Sequence, residues 1–320
     1  DVQQNEDGSV DINFDPRMVN PGEDKGHFSN LAELLPDSVL DPLGHKLYND
    51  YTDYKNSRKD WERSYISGLD LLGFKYEDRS EPFKGASGAS HPVLAEAITQ
   101  FQSLAYKELL PSGGPVRAHI IGMPTPQKEQ QASRVKDYMN WQIMDEFDQM
   151  LFNLPLAGST FKKIYYDDLM QRAVSKFVPA DDLVVPYTAT SLDDCESIIH
   201  IIKMTENELR KKQVGGFYRD IEVNPSYMQE TEIQKKERAL EGAVKGRDER
   251  MFTILECHVN VDLEGFEDID PQSGEPTEIK LPYIVAVEEG TRKVLSVRRN
   301  YDLKDMMKKK IDYFVHFKFL

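Results

Sequence analysis

Three pairs of adjacent aspartates, Asp167/Asp168, Asp181/Asp182 and Asp193/Asp194, are the residues best suited by type to chemistry. Two carboxylates can divide general acid and base work or hold a divalent cation. Their spacing argues against it. Neighbouring side chains point apart on a strand and diverge on a helix, and each pair falls in a stretch that reads as a turn, where aspartate is expected for its local hydrogen bonding. The seven histidines, at positions 27, 45, 91, 119, 200, 258 and 316, are dispersed, and none forms HxH or HExxH. His200 and His316 fall on strand faces, where a neighbouring side chain satisfies an imidazole more often than a metal does. The only cysteines, Cys195 and Cys257, stand in no CxxC or ligand-like spacing, which removes the disulfide-scaffold and zinc-ribbon readings and points to a reducing compartment. No GxSxG is present either. The expectation is a protein that is not an enzyme and uses no metal and no cofactor.

Two other features invite a binding role. Gly85, Ser87, Gly88 and Ser90 make a small-residue loop ahead of Pro92, and a glycine-rich loop opening a helix can cradle phosphate. With no GxxxxGK[ST] or GxGxxG and no strand just before it, the loop reads first as a tight surface connection. The second feature is a basic run of Arg292, Lys293, Arg298, Arg299, Lys304, Lys308, Lys309 and Lys310, eight positive residues within nineteen. It could face nucleic acid, pair with the acidic surface of a neighbouring subunit, or stand in solvent. Tyr301 is the one aromatic inside it, so stacking of single-stranded bases is not expected. The chain as a whole carries a net charge of −15, so its bulk surface repels polyanions. A duplex could pass such a surface without being gripped.

The elements that must position these residues follow from hydrophobic period. Residues 1–30 hold seven acidic and two basic residues, which favours an extended arm, with Val10–Phe14 alternating as a short strand. From Asp41 to about Leu72 one broad aromatic face predicts helix, and Val93, Ala97, Ile98, Phe101, Leu104, Ala105 and Leu109 predict another. Val116–Gly122 reads as a strand, and 127–151 as a helix buried along Ala132, Val135, Met139, Ile143, Phe147, Met150 and Leu151. The period then changes to two. TFKKIYYDD and RAVSKFVP read as a β-hairpin, LVVPY (183–187) and ESIIHIIKM (196–204) as strands, and Thr205 with Glu208 as a capping box. Residues 226–250 carry twelve charges over a thin apolar line of Ile233, Leu240 and Val244, a helix that is solvated or pressed on a neighbour. From Met251 onward the chain is β-rich. The expected organisation is an arm at 1–40, an α+β domain at 41–250 and a β-rich segment at 251–320, helices first and antiparallel strands later.

Apolar residues make up 39% of the chain, enough for a core but with extended or subunit-contacting parts. The longest apolar run, Tyr283–Val287, is five residues, against roughly 20 for a bilayer span. The chain closes on YFVHFKFL (313–320), an alternating run that reads as a strand in mid-course, so the 320 residues are expected to be one piece of a larger subunit.

The phrases WERSYISGLDLLGF, PFKGASGASHPVLAEAITQFQSLAYKELLPSGGPVRAHIIG, MLFNLPLAGSTFKKIYYD and DDLVVPYTATSLDDCESIIH resemble, in this order, the portal proteins of tailed bacteriophages, of the kind found in large podoviruses. The likeness spans roughly residues 40–205 and is weaker over 206–320. It implies a portal-like wing with long amphipathic helices, and a dodecameric ring at one capsid vertex. It further implies double-stranded DNA passing through during packaging and ejection, contact with the major capsid protein, and docking of terminase and later of tail or head-completion adaptor proteins. The implied location is the virion, with assembly in the host cytoplasm. Portals continue past the wing into tunnel-lining stem helices, for which no candidate appears before residue 320. Another head–tail connector or adaptor is the nearest alternative, and a metal-dependent hydrolase built on the aspartate pairs a more distant one.

Overall fold

Runs rich in Val, Ile and Tyr pair into antiparallel ladders, and the amphipathic stretches coil into helices around them. The computed structural model describes residues 2–4, 10–12, 24–72, 83–86, 91–111, 113–144, 146–167, 171–224, 231–241, 251–269, 275–302, 304–305 and 307–319. Asn13, Phe14, Ser87, Gly88, Ser90, Asp168, Val244 and Leu320 lie outside them. In chain order the elements are β1 (Val2–Gln4), β2 (Val10–Ile12), α1 (Asp24–His27), α2 (Asp37–Ser57), α3 (Lys59–Leu72), α4 (Val93–Leu109), α5 (Pro126–Met144), α6 (Phe147–Ala157), β3 (Ser159–Asp167), β4 (Arg172–Val178), β5 (Leu183–Val184), β6 (Ser197–Thr205), α7 (Glu206–Val214), α8 (Glu232–Glu241), β7 (Met251–Val261), β8 (Leu281–Glu288), β9 (Val294–Arg299) and β10 (Phe314–Lys318). The fold is mixed α+β, and its strands pair antiparallel. Two compact units result, each assembled from separate stretches of chain: one from Asp1–Thr52, Glu196–Tyr227 and Glu249–Ile311, the other from Asp53–Cys195, Met228–Asp248 and Asp312–Leu320.

The first unit is built on the meander β6-β7-β8-β9. His200 opposes Glu256, Cys257 opposes Val285, and Val285 opposes Val297. The run Tyr283–Val287 is apolar without alternation because both of its faces are covered, which leaves only Ile284 partly exposed. On one face Met204, Phe252, Ile254, Ala286 and Leu295 pack with Leu209 of α7 and with Tyr218. The capping box forms as its spacing predicts: the Thr205 hydroxyl accepts from Glu208 N while the Glu208 carboxylate accepts from Thr205 N. At the β8–β9 turn the wholly buried Glu288 carboxylate accepts from Gly290 N (2.9 Å), Thr291 N (2.6 Å) and the Thr291 hydroxyl (2.6 Å). A buried charge is tolerated there because the turn's own donors surround it.

The outer edge of β9 is closed by a side chain. Asn30 Oδ1 accepts from Val297 N at 3.0 Å, and its Nδ2 donates to Leu295 O at 3.1 Å. A carboxamide thus stands in for the next strand's peptide, and the edge offers no ladder to another chain.

In the second unit the three strands run in the order β10-β3-β4, with Phe317 opposite Thr160 and Phe161 opposite Val178. One core joins Tyr65, Leu69, Ala157 and Ile233; another joins Phe147, Met150 and Leu151 with Phe101, Phe177 and Phe317 around them. Trp61 stacks on Tyr65 at 5.4 Å and donates its indole N–H to Ala157 O.

Three expectations are corrected. The single helix over 41–72 is interrupted at Arg58, where the Ser57 hydroxyl donates to Tyr54 O at 2.7 Å and competes with the helical bond. The helix over 127–151 is two helices: Glu146 turns left-handed at φ 57°, and its carboxylate accepts from Phe177 N of β4. Along that stripe Phe147, Met150 and Leu151 of α6 are buried, whereas Val135 and Met139 of α5 are exposed. Finally, 116–122 forms no strand, and among the described residues only Val116 of the segment is bonded, to the Asn140 carboxamide.

Candidate functional site

Of the eight basic residues in the run, at least five are engaged within the first unit. Arg292 stacks over Tyr48 at 4.4 Å and reaches His45 Nδ1 at 3.3 Å. Lys293 donates to Glu222 O at 3.2 Å, and Lys308 pairs with Asp268. Arg298 donates to Phe28 O (3.1 Å) and Phe217 O (3.2 Å) and lies 4.1 Å over the Phe217 ring. Arg299 donates to His27 O at 3.0 Å and lies over Phe266. Lys304 and Lys309 are exposed, and Lys310 is half-buried. The two arginines therefore tie residues 27–28 to β9, alongside Asn30, and His27 adds a contact of its Nε2 to Tyr301 O at 3.0 Å.

This placement changes what a charge reversal reports. R298E/R299E is expected to destabilise the isolated subunit by about 3 kcal/mol, since three carbonyls lose charged donors and gain carboxylates nearby. Urea unfolding of dilute protein, where no neighbour contributes, checks this; an unchanged midpoint would return the pair to surface use.

A cluster that spacing alone did not single out lies on the covered face of the meander. Glu256 Oε1 sits 2.8 Å from His258 Nε2 and 4.0 Å from His200 Nδ1. Burial, and then the Glu256 charge, push the Tyr218 hydroxyl well above the usual tyrosine range, which Arg298 opposes. The signal available in sequence was the Glu256-x-His258 spacing; His200 joins only through strand register. Among the described residues no group of three or more His, Cys, Asp or Glu is arranged to hold a metal ion. Cys257 is buried, and desolvation pushes its thiol up, away from the reactive thiolate.

Asp181/Asp182 and Asp193/Asp194 sit in turns, Asp167 ends β3, and Asp168 lies outside the described residues. Asp181 O accepts from Arg58, and Asp194 Oδ2 accepts from the Ser191 hydroxyl at 3.2 Å while Ser191 Oγ accepts from Asp194 N. Of the small-residue loop, Gly85 is described and turns left-handed at φ 91°.

The second unit exposes an unusual amount of apolar surface. Ile121 is 93% exposed and Met123 84%, with Leu104, Leu109, Val135 and Trp141 also open to solvent. Residues 117–123 make no hydrogen bond with any described residue. The β4 edge is capped in part, because Tyr138 donates to Ala173 O, Glu146 accepts from Phe177 N, and Arg172 stacks on Trp141 at 4.8 Å. The β10 edge is different. Tyr313 O accepts from Ile164 N and Phe319 N donates to Gly158 O, so the odd-numbered residues face β3 and the peptide groups of His316 and Lys318 face outward, without a backbone partner among the described residues.

His316 stacks on Phe161 at 4.6 Å and meets Ser159 Oγ at 3.0 Å. Burial, with the Lys318 charge second, holds its pKa below the usual histidine value. The unfolded chain therefore takes up the proton first as pH falls, so the neutral ring's contribution is complete above about 6.5 and is lost on acidification through that value toward the lowered folded one. H316Q should show a smaller drop in urea midpoint between about pH 7.5 and 5.5 than the parent. Parallel pH profiles would count against this role.

No protein-family model and no curated protein matches the chain. Among the described residues, no helix is long and apolar enough to cross a membrane.

Proposed function

We propose that the chain is a structural subunit of a tailed-bacteriophage portal ring, forming the conduit for double-stranded DNA and the platform on which terminase and then tail or adaptor proteins dock. The observation that carries this reading is the uncovered apolar surface of the second unit, from α4 through Met123 to α5, on a chain of net charge −15. Surface of that kind marks a protein–protein contact. A head-to-tail contact that closes on itself makes a ring, and a mostly acidic wall lets a duplex slide by forming few lasting phosphate contacts. In this reading α2 to α6 belong to the wing, the ring is a dodecamer at the unique capsid vertex, and the chain itself carries out no catalysis.

Electron microscopy of the purified, concentrated protein tests it. Rings with a central hole are expected, and counting subunits separates a founding portal ring from an adaptor added onto one. A monodisperse compact monomer at high concentration overturns the reading.

A further inference from the structure

We infer that residues 116–122 of one copy add as a strand to the open β10 edge of a second copy. This rests on the ring reading only in taking another copy of the same chain as partner. The segment Val-Arg-Ala-His-Ile-Ile-Gly has the alternation and the branched residues of a strand, yet it belongs to no strand, and residues 117–122 make no hydrogen bond with any described residue. A segment of strand-forming sequence without a ladder of its own is what an open edge can receive.

Two of the other sheet edges carry side-chain caps. Asn30 caps β9, and α5 side chains with Glu146 cap β4. On β10, by contrast, the peptide groups of His316 and Lys318 point outward, while the one charged side chain there is drawn aside to Thr190 O at 3.2 Å. The side chains agree as well. Val315, Phe317 and Phe319 form one apolar row on β10, with Phe319 edge-on to Phe101, and Val116, Ala118 and Ile120 would continue that row. A donor strand and an acceptor edge at different places on the same chain make a head-to-tail contact, which repeats from copy to copy.

Two variants each remove one half of the contact. In A118P the lost N–H has no partner among the described residues, and Arg117 before it lies outside any helix, so the fold is retained. In H316P the lost N–H is one that faces outward from an edge strand, where proline is tolerated. Light scattering of the full chain is expected to show assembly of the parent and monomers for each variant. A mixture of the two variants is expected to stop at heterodimers, because A118P keeps the edge and H316P keeps the strand. In the assembled parent the amides of 118–122 should exchange on the order of 100-fold more slowly than in dilute monomer.

Assembly of A118P equal to the parent's, or equal exchange in the two states, overturns this contact and leaves the ring reading standing. Failure of the parent to assemble at any concentration overturns both. If H316P does not fold, A118P and the exchange comparison decide alone.

Discussion

Gly44→Ala is expected to destabilise the first unit by about 3 kcal/mol, the upper range for overpacking a closed site. A Cβ at this position in α2 would lie 2.2 Å from the carbonyl oxygen of Arg292 and 3.3 Å from a Val294 methyl. The neighbour cannot give way. Arg292 is itself held left-handed at φ 59°, its N–H donates to Glu288 O at 2.8 Å, and the buried Glu288 carboxylate fixes the two residues before it. Helix and turn must therefore separate, and the contacts around Leu43 and Leu47 are lost with them. A unit of this size should melt roughly 6–12 °C lower. Gly26→Ala, where an added Cβ meets nothing within 4 Å, is the control and should leave melting unchanged. Equal melting of the two variants would mean that α2 does not bear on the turn.

Arg58→Ala is expected to cost the second unit about 2–4 kcal/mol. The guanidinium closes the break between α2 and α3 and donates to three backbone carbonyls, Ala180 O (3.1 Å), Leu183 O (3.0 Å) and Asp181 O (2.7 Å). Its Nε also donates to Glu62, and the plane lies over Trp61 at 5.4 Å. With the side chain only 16% exposed, water replaces little of this once the fork is gone. Arg58→Lys should recover less than half of the loss, since one ammonium cannot address three diverging acceptors. Hydrogen exchange at Asp182 N, which donates to Pro179 O at 3.1 Å in the turn the arginine holds, reads the effect locally. Full rescue by lysine would show that charge, rather than geometry, holds the turn.

Elements whose causes are local were legible in the sequence. The β3–β4 hairpin, the Thr205–Glu208 capping box, the turn character of Asp181/Asp182 and Asp193/Asp194 and the β-rich stretch from Met251 all follow from period, capping chemistry and turn residues within a few positions. Both helix breaks were missed, one with a local cause and one with a contact 31 residues away. At Ser57 the interruption rests on a hydroxyl that takes a helical acceptor, and at Glu146 on a carboxylate bound to β4. Hydrophobic period is blind to either, because the apolar stripe continues through the break. The stripe on α5 misled for a related reason: Val135 and Met139 recur at helical spacing, but no part of the described fold covers them. Period says that a face is apolar and leaves open what lies against it.

The basic run and the last strand show the same division. Eight positive residues were evident as composition, but that Arg298 and Arg299 grip the carbonyls of residues 27 and 28 depends on a contact some 270 positions apart. The alternation of 313–320 specified a strand; that it lies against β3, with an outward edge left over, is a matter of register between distant segments. By itself the sequence determined the mixed α+β character, the acidic balance and the local caps and turns, because these arise from neighbours along the chain. The tertiary structure alone decided which strands pair, which edges stay open and which cations are neutralised, because those depend on groups that meet only after the chain has closed on itself.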